Sequence, residues 1–167
     1  MTERENEYTW AGAYLNSRQV VIVRANSGIR TLQDLEGKRF AVQVSSKPDE
    51  ILLNHEDVRI PEVDEIYCFS TLDEVYACLR KGYCDAIAGH ESALRLFMDS
   101  LPNEFYMLEE SLYKSELGVA FEKGTQEELA DELSKTLQQM HQDGTTERIL
   151  VKYGINTECA WSDAYAE

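Results

Sequence analysis

The fold is decided by residues 19–44, which read QVVIVRANSGIRTLQDLEGKRFAVQV. Two largely apolar runs in this stretch, Gln19–Arg24 and Arg39–Val44, predict strands. Between them, Thr31 and Gly37 bound one or two predicted helical turns, as the N-cap and the stop. A strand, a short helix and a second strand in close succession are typical of an α/β protein with a mostly parallel sheet.

The same alternation continues along the chain. Two capping boxes, Thr71 with Glu74 and Thr125 with Glu128, mark the starts of the clearest later helices. With these two, the helices after the first short one are predicted at Ser46–His55, Thr71–Gly82, Glu91–Ser100, Thr125–Gly144 and Thr145–Tyr153. Strands are predicted at Glu65–Phe69, Asp85–Gly89, Phe105–Leu108 and Leu117–Phe121.

The predicted elements divide the chain unevenly. Residues 25–110 hold a complete βαβαβα set and are predicted to form one complete α/β lobe. Residues 1–24 and 111–167 do not make a second complete set. They are predicted to be crossing strands and C-terminal helices that belong to a partial lobe.

The composition excludes several classes of function. The chain has 167 residues and a net charge of −15 at pH 7, which repels nucleic acid and anionic lipid. No apolar run reaches the length of a membrane-spanning helix. Residues 1–7 are charged and lack the apolar core of a signal peptide, so an export leader is expected to be missing from this sequence.

The cysteines give no sign of a metal site or a cofactor. Cys68, Cys78, Cys84 and Cys159 form no CxxC pair, and the histidines lie at no zinc-ligand spacing from them. Buried free thiols are expected. A Cys78–Cys84 disulfide is an alternative, provided that the helix ends between the two residues.

A family resemblance adds to this interpretation. The motifs that carry it, in order, are residues 19–24, 27–29, 32–38, 41–43, 85–89, 118–120, 123–124, 140–145 and 152–154. Together they resemble the extracellular amino-acid-binding proteins of ABC importers, solute-binding protein family 3. The resemblance implies a periplasmic-binding-protein-like clamshell that binds its ligand between two lobes and closes by hinge motion. On that template the chain begins just before the first crossing strand, so most of the first lobe is expected to be absent.

The resemblance also implies ligand contacts. Arg4 matches an arginine that grips the ligand carboxylate, for which a guanidinium offers a bidentate fork. Gln43, Ser45, Ser46 and Lys47 lie where the family binds the carboxylate at the start of a helix, whose free N–H groups attract anions. An ordinary N-cap role for Ser46 is the alternative.

The main departure from the family is His90. The family places an aspartate there, opposite the ligand ammonium, whereas this chain has His90 followed by Glu91. A neutral imidazole cannot replace a carboxylate as a counter-ion. Glu91 is the substitute candidate, although it also suits the first turn of the next helix. A ligand without an α-amino group, or loss of ligand binding, is therefore a hypothesis.

The predicted function is the substrate-binding component of an amino-acid-type ABC importer, acting outside the cytoplasm beside a permease, with a lipid anchor in the full-length protein as an option. Its ligand would be an amino acid or a related carboxylate, and it would not be an enzyme. A ligand-sensing domain of a membrane kinase or cyclase is the alternative, and a cyclohexadienyl-dehydratase-like enzyme using Glu91 is a weaker one. Exposed crossing strands predict an edge-paired or domain-swapped homodimer.

Overall fold

The computed structural model describes residues 6–54, 58–155 and 157. Five strands form one sheet in the order β3-β2-β4-β1-β5. The strands are β1 (Tyr8–Arg24), β2 (Arg39–Gln43), β3 (Glu65–Phe69), β4 (Ala86–His90) and β5 (Phe105–Glu122). The helices are α1 (Lys47–Asn54), α2 (Leu72–Lys81), α3 (Glu91–Asp99), α4 (Glu127–Gln142) and α5 (Thr145–Lys152), with a 3₁₀ turn at Gln33–Leu35.

The sheet is mixed. Strand β2 is parallel to both β3 and β4, whereas β1 runs antiparallel to β4. An open sheet of five strands with helices confirms the predicted α/β class. The predicted strand at 19–24 is the second part of the longer β1, and those at 105–108 and 117–121 are parts of the single strand β5.

Contacts divide the chain into two compact units. Unit 2 is Arg18–Tyr113, and unit 1 consists of Met1–Ser17 and Lys114–Glu167. The predicted complete lobe, residues 25–110, lies within unit 2.

The core of unit 2 has two layers, one on each face of the sheet. Alternation along β1 places Val21 and Val23 in the first layer and Val20 and Ile22 in the second. Helix α1 contributes Leu52 to the first layer, whereas α2 and α3 contribute to the second. We call the face that carries α1 the α1 face.

Unit 1 has a much smaller core among the residues that the structure describes. Its buried apolar side chains are Ala11, Ala13, Ala130 and Leu150. The Ser134 hydroxyl accepts a hydrogen bond of 2.8 Å from the Gly12 N–H. No helix in the described part of the chain is long and apolar enough to cross a membrane.

One of the two predicted capping boxes is confirmed. Thr71 Oγ1 accepts from the Glu74 N–H at 3.4 Å, and Glu74 Oε2 accepts from the Thr71 N–H at 3.0 Å. The box at Thr125 is wrong. Its hydroxyl instead donates to the Glu122 carbonyl at 2.7 Å, and α4 begins one residue later than that box requires, after a left-handed Gln126.

The predicted N-cap role of Thr31 is also wrong. The Thr31 hydroxyl donates to the Asp34 carboxylate at 2.9 Å, and the same carboxylate accepts from the Thr31 and Arg30 N–H groups. Because Asp34 is the better acceptor, the roles of the two side chains are reversed. The predicted turns shrink to the 3₁₀ turn, which ends before Gly37 at φ 61°.

Cys78 and Cys84 carry buried free thiols, whereas the free thiol of Cys68 is exposed. The expectation of burial is therefore wrong for Cys68, which lies on the edge strand β3. Its thiol donates to Asp49 Oδ1 at 3.1 Å. Burial raises the pKa of Cys84, as does its hydrogen bond with Cys78.

Candidate functional site

Strands β2 and β4 end at the same edge of unit 2. They are parallel neighbours, with Phe40 opposite Ala86 and Ala41 opposite Ile87. Helices α1 and α3 begin just beyond these strand ends. We call this the carboxyl edge, and it is where ligands bind in open α/β sheets.

His90 and Gln19 meet at the carboxyl edge. The two residues are direct cross-strand partners, and Gln19 shares the α1 face with Val21 and Val23 by alternation. The amide nitrogen of Gln19 lies 3.2 Å from Nδ1 and 3.1 Å from Nε2 of His90. Gln19 is only 4% exposed, and its Oε1 has no hydrogen-bond partner among the described residues.

Burial lowers the pKa of His90 below the usual value for histidine. The imidazole is therefore neutral at pH 7, with one ring nitrogen that accepts and one that donates. Together, Gln19 and His90 form a neutral hydrogen-bonding pair at the carboxyl edge.

Glu91 is held by two arginines. The Arg18 guanidinium binds it through two hydrogen bonds of 2.7 and 2.8 Å. Arg95, one turn later on α3, donates two more of 2.9 and 2.7 Å. The hydrogen bonds with Arg18 above all lower the pKa of Glu91, so it stays ionised at neutral pH.

The loop between β2 and α1 satisfies its own hydrogen bonds. Ser45, at φ 59°, donates its N–H to Asp49 Oδ2 at 2.8 Å. Ser46 Oγ accepts from the Asp49 N–H at 3.4 Å, which is the pattern of an N-cap serine. The buried Asp49 carboxylate therefore already occupies part of the helix start that was predicted to bind an anion.

Lys47 is the first residue of α1. Its ammonium lies 3.2 Å from Glu50 Oε2 and 5.1 Å from the ring centroid of Tyr113. The Lys47 side chain is only 18% exposed. A lysine over an aromatic ring gains a cation–π attraction that fixes its position.

The structure separates the predicted site residues. His90 and the start of α1, with Ser45, Ser46 and Lys47, lie at the carboxyl edge. Gln43 alternates with Val42 onto the opposite face, and its amide donates to the Ser70 carbonyl at 3.2 Å. Arg4 lies outside the described residues.

Sequence reasoning missed two residues of this edge, Gln19 and Tyr113. Gln19 was treated as an ordinary strand residue, although a glutamine that opens the apolar run 19–23 was a usable signal. Tyr113 had no signal, because its contact with Lys47 spans most of unit 2 in sequence.

The open mixed sheet with helices has the architecture of a periplasmic-binding-protein-like lobe. Residues 10–164 match the family described as ABC transporter, phosphonate, periplasmic substrate-binding protein. The chain belongs to this family. The predicted resemblance to the binding proteins of ABC importers is thus confirmed.

The descriptions of two similar proteins name an amino acid as the ligand. The chain is 27% identical to the ABC transporter glutamine-binding protein GlnH of Bacillus subtilis (strain 168), over 90% of this chain and 53% of that protein. It is 26% identical to the crystal structure of Tv2483 bound to L-arginine, with a TM-score of 0.71 over 96% of this chain and 64% of the other.

A third match shows a shared fold only. The ligand-binding core of GluR0 from Nostoc punctiforme, in complex with L-glutamate, is 19% identical with a TM-score of 0.73, over 92% of this chain and 68% of the other. The chain spans about half the length of GlnH. GlnH is described as a binding protein of an ABC transporter.

Proposed function

We propose that the chain is a ligand-binding part of the substrate-binding component of an ABC importer, and that it binds a small polar solute at the carboxyl edge. Membership of the substrate-binding family supports this proposal. The observation that carries it is the convergence of polar groups at one edge of unit 2, where His90 ends β4 next to the start of α1 and pairs with Gln19 of the neighbouring strand β1.

The site chemistry suits a small solute. The hydroxyls of Ser45 and Ser46 and the ammonium of Lys47 donate hydrogen bonds, and His90 can both donate and accept. The glutamine and arginine named for the relatives that are 27% and 26% identical indicate a ligand of amino-acid size. The working partner would be a transporter permease, and the periplasmic role in the family's description supports a location outside the cytoplasm.

Binding without catalysis is part of the proposal. The one acid–base pairing considered for an enzyme joins His90 to Glu91. Glu91 is bound instead by Arg18 and Arg95, and its pKa is lowered, which makes it a poor general acid at neutral pH.

Ligand screening on the 167-residue chain tests the function. Thermal denaturation and isothermal titration would use L-amino acids, dicarboxylates, alkylphosphonates and polyamines. A ligand present at 100 times its Kd would stabilise the folded state by about 2.7 kcal/mol. Lys47→Met should weaken binding, whereas Arg80→Gln, a matched loss of charge on the exposed end of α2, should not. Failure of every compound to bind or to stabilise the chain would sink the proposal.

A further inference from the structure

In the described part of the chain, the carboxylates at the carboxyl edge already have partners within the protein. We propose that the carboxyl edge of unit 2 receives a neutral or anionic part of the ligand, so that the protein prefers small carboxylates or phosphonates that lack an ammonium group. This inference rests on the proposed function and assigns the ligand class of the same site.

Glu91 is the first of these carboxylates. Both of its oxygens accept from guanidinium groups, Oε2 from Arg18 and Oε1 from Arg18 and Arg95. The Glu91 side chain is only 12% exposed and that of Arg18 only 15%. Turning Glu91 towards a ligand ammonium would break four charge-assisted hydrogen bonds and leave two arginines without their shared acceptor.

Asp49 and Glu50, in the first turn of α1, are the other two. Asp49 is 7% exposed and accepts from the Ser45 N–H and the Cys68 thiol. Glu50 pairs with the Lys47 ammonium. The Asp49 carboxylate is therefore engaged within the protein, and the charge of the half-exposed Glu50 carboxylate is balanced by the Lys47 ammonium.

The acidic residues of α2 lie on the other face of the sheet. Helix α2 also begins beyond a parallel strand, and its first turn contains Asp73 and Glu74. However, α2 packs on the layer that contains Val20 and Ile22, whereas Gln19 and His90 lie on the α1 face. Glu74 is in addition held by its capping box with Thr71.

Among the residues that the structure describes, the other groups beside the ends of β2 and β4 are neutral groups and donors. The pair of Gln19 and His90 is uncharged, because burial keeps the imidazole neutral. The hydroxyls of Ser45 and Ser46 add neutral polarity, and Lys47 adds a cation that shares its charge with Glu50. A ligand ammonium placed here would lose its hydration without gaining a counter-ion, whereas a carboxylate or phosphonate oxygen would gain donors.

Matched pairs of ligands test the inference. Isothermal titration of the 167-residue chain would compare glutarate with L-glutamate, and methylphosphonate with aminomethylphosphonate. Within each pair the compounds differ by one ammonium group. The ammonium-free member should bind at least about tenfold more tightly, as expected for one charge-assisted interaction that the other member cannot make. The pair whose ammonium-free member binds more tightly also shows whether the natural ligand resembles a carboxylate or a phosphonate.

A charge swap at His90 gives a second, independent measurement. His90→Asp supplies the missing counter-ion, and His90→Asn is its neutral control of nearly the same shape. The Asp variant should gain about tenfold in affinity for the ammonium-bearing member relative to the Asn variant. Should His90→Asp fail to fold, the comparison of ligand pairs on the unaltered chain decides the matter alone.

The possible failures can be told apart. If an ammonium-bearing compound binds the unaltered chain as tightly as its deaminated counterpart, the inference is overturned and the proposed function stands. If no compound of the whole panel binds, the proposed function fails and the inference fails with it.

Discussion

Gln19 and His90 face each other across the antiparallel strands β1 and β4, with the Gln19 amide nitrogen 3.1 Å from Nε2 of the imidazole. Gln19 is almost fully buried, whereas His90 lies at the end of its strand. The pair therefore joins the core of unit 2 to its carboxyl edge. Because the amide donates to a ring nitrogen, it favours the neutral imidazole, as burial does.

The first prediction concerns the pH dependence that His90 confers. Its pKa is lowered in the folded state, so the unfolded chain binds more protons once the pH falls below the usual histidine value of about 6.5. The stability that His90 contributes is then present at neutral pH and is lost on acidification through that range. Urea unfolding at about pH 7.5 and about pH 5.5 should show a steeper loss for the unaltered chain than for His90→Asn. Equal losses would contradict the buried neutral imidazole.

The second prediction concerns the cluster of Glu91 with its two arginines. Glu91→Gln should lower the free energy of unfolding by about 1–3 kcal/mol, because it weakens charge-assisted hydrogen bonds at a largely buried site. Glu50→Gln is the matched control. Its carboxylate is 51% exposed, and its pair with Lys47 should contribute less than about 1 kcal/mol. Urea titration of both variants gives the comparison, and equal effects would remove the special role of Glu91.

The third prediction compares two threonines that look alike in sequence. Thr71→Ala should cost about 1 kcal/mol, because Thr71 caps α2. Thr125→Ala should change stability by less than about 0.5 kcal/mol, because its hydroxyl bonds the Glu122 carbonyl outside α4. The same urea measurement serves both variants. A larger loss for Thr125→Ala than for Thr71→Ala would refute the observed capping pattern.

The fourth prediction concerns self-association. Unit 1 has few buried apolar side chains among its described residues, while α4 and α5 expose Leu129, Ile149 and Val151. The edges of the sheet, β3 and β5, are open to pairing. We expect a dimer of the 167-residue chain by size-exclusion chromatography with light scattering, weakened by Val151→Glu. A strictly monomeric chain at high concentration would rule this out.

Local patterns along the chain were enough to predict most elements of unit 2. The apolar run from Gln19 and the capping box at Thr71 depend on neighbours within a few residues, and such short-range chemistry can be recognised from sequence. The prediction at Thr125 failed although the pattern was the same. There the hydroxyl turned back to Glu122, a competition between two local acceptors that spacing alone does not resolve.

The α/β alternation, and with it the edge where a ligand can bind, follows from the sequence by itself, because strand and helix periodicities are local properties of the chain. Which side chains meet at that edge was decided only by the tertiary structure. Strand register sets Gln19 against His90, and helix placement brings Arg18 and Arg95 to Glu91. Such pairings between distant residues depend on packing of whole elements, so the charge of the site could be determined only once the chain was folded.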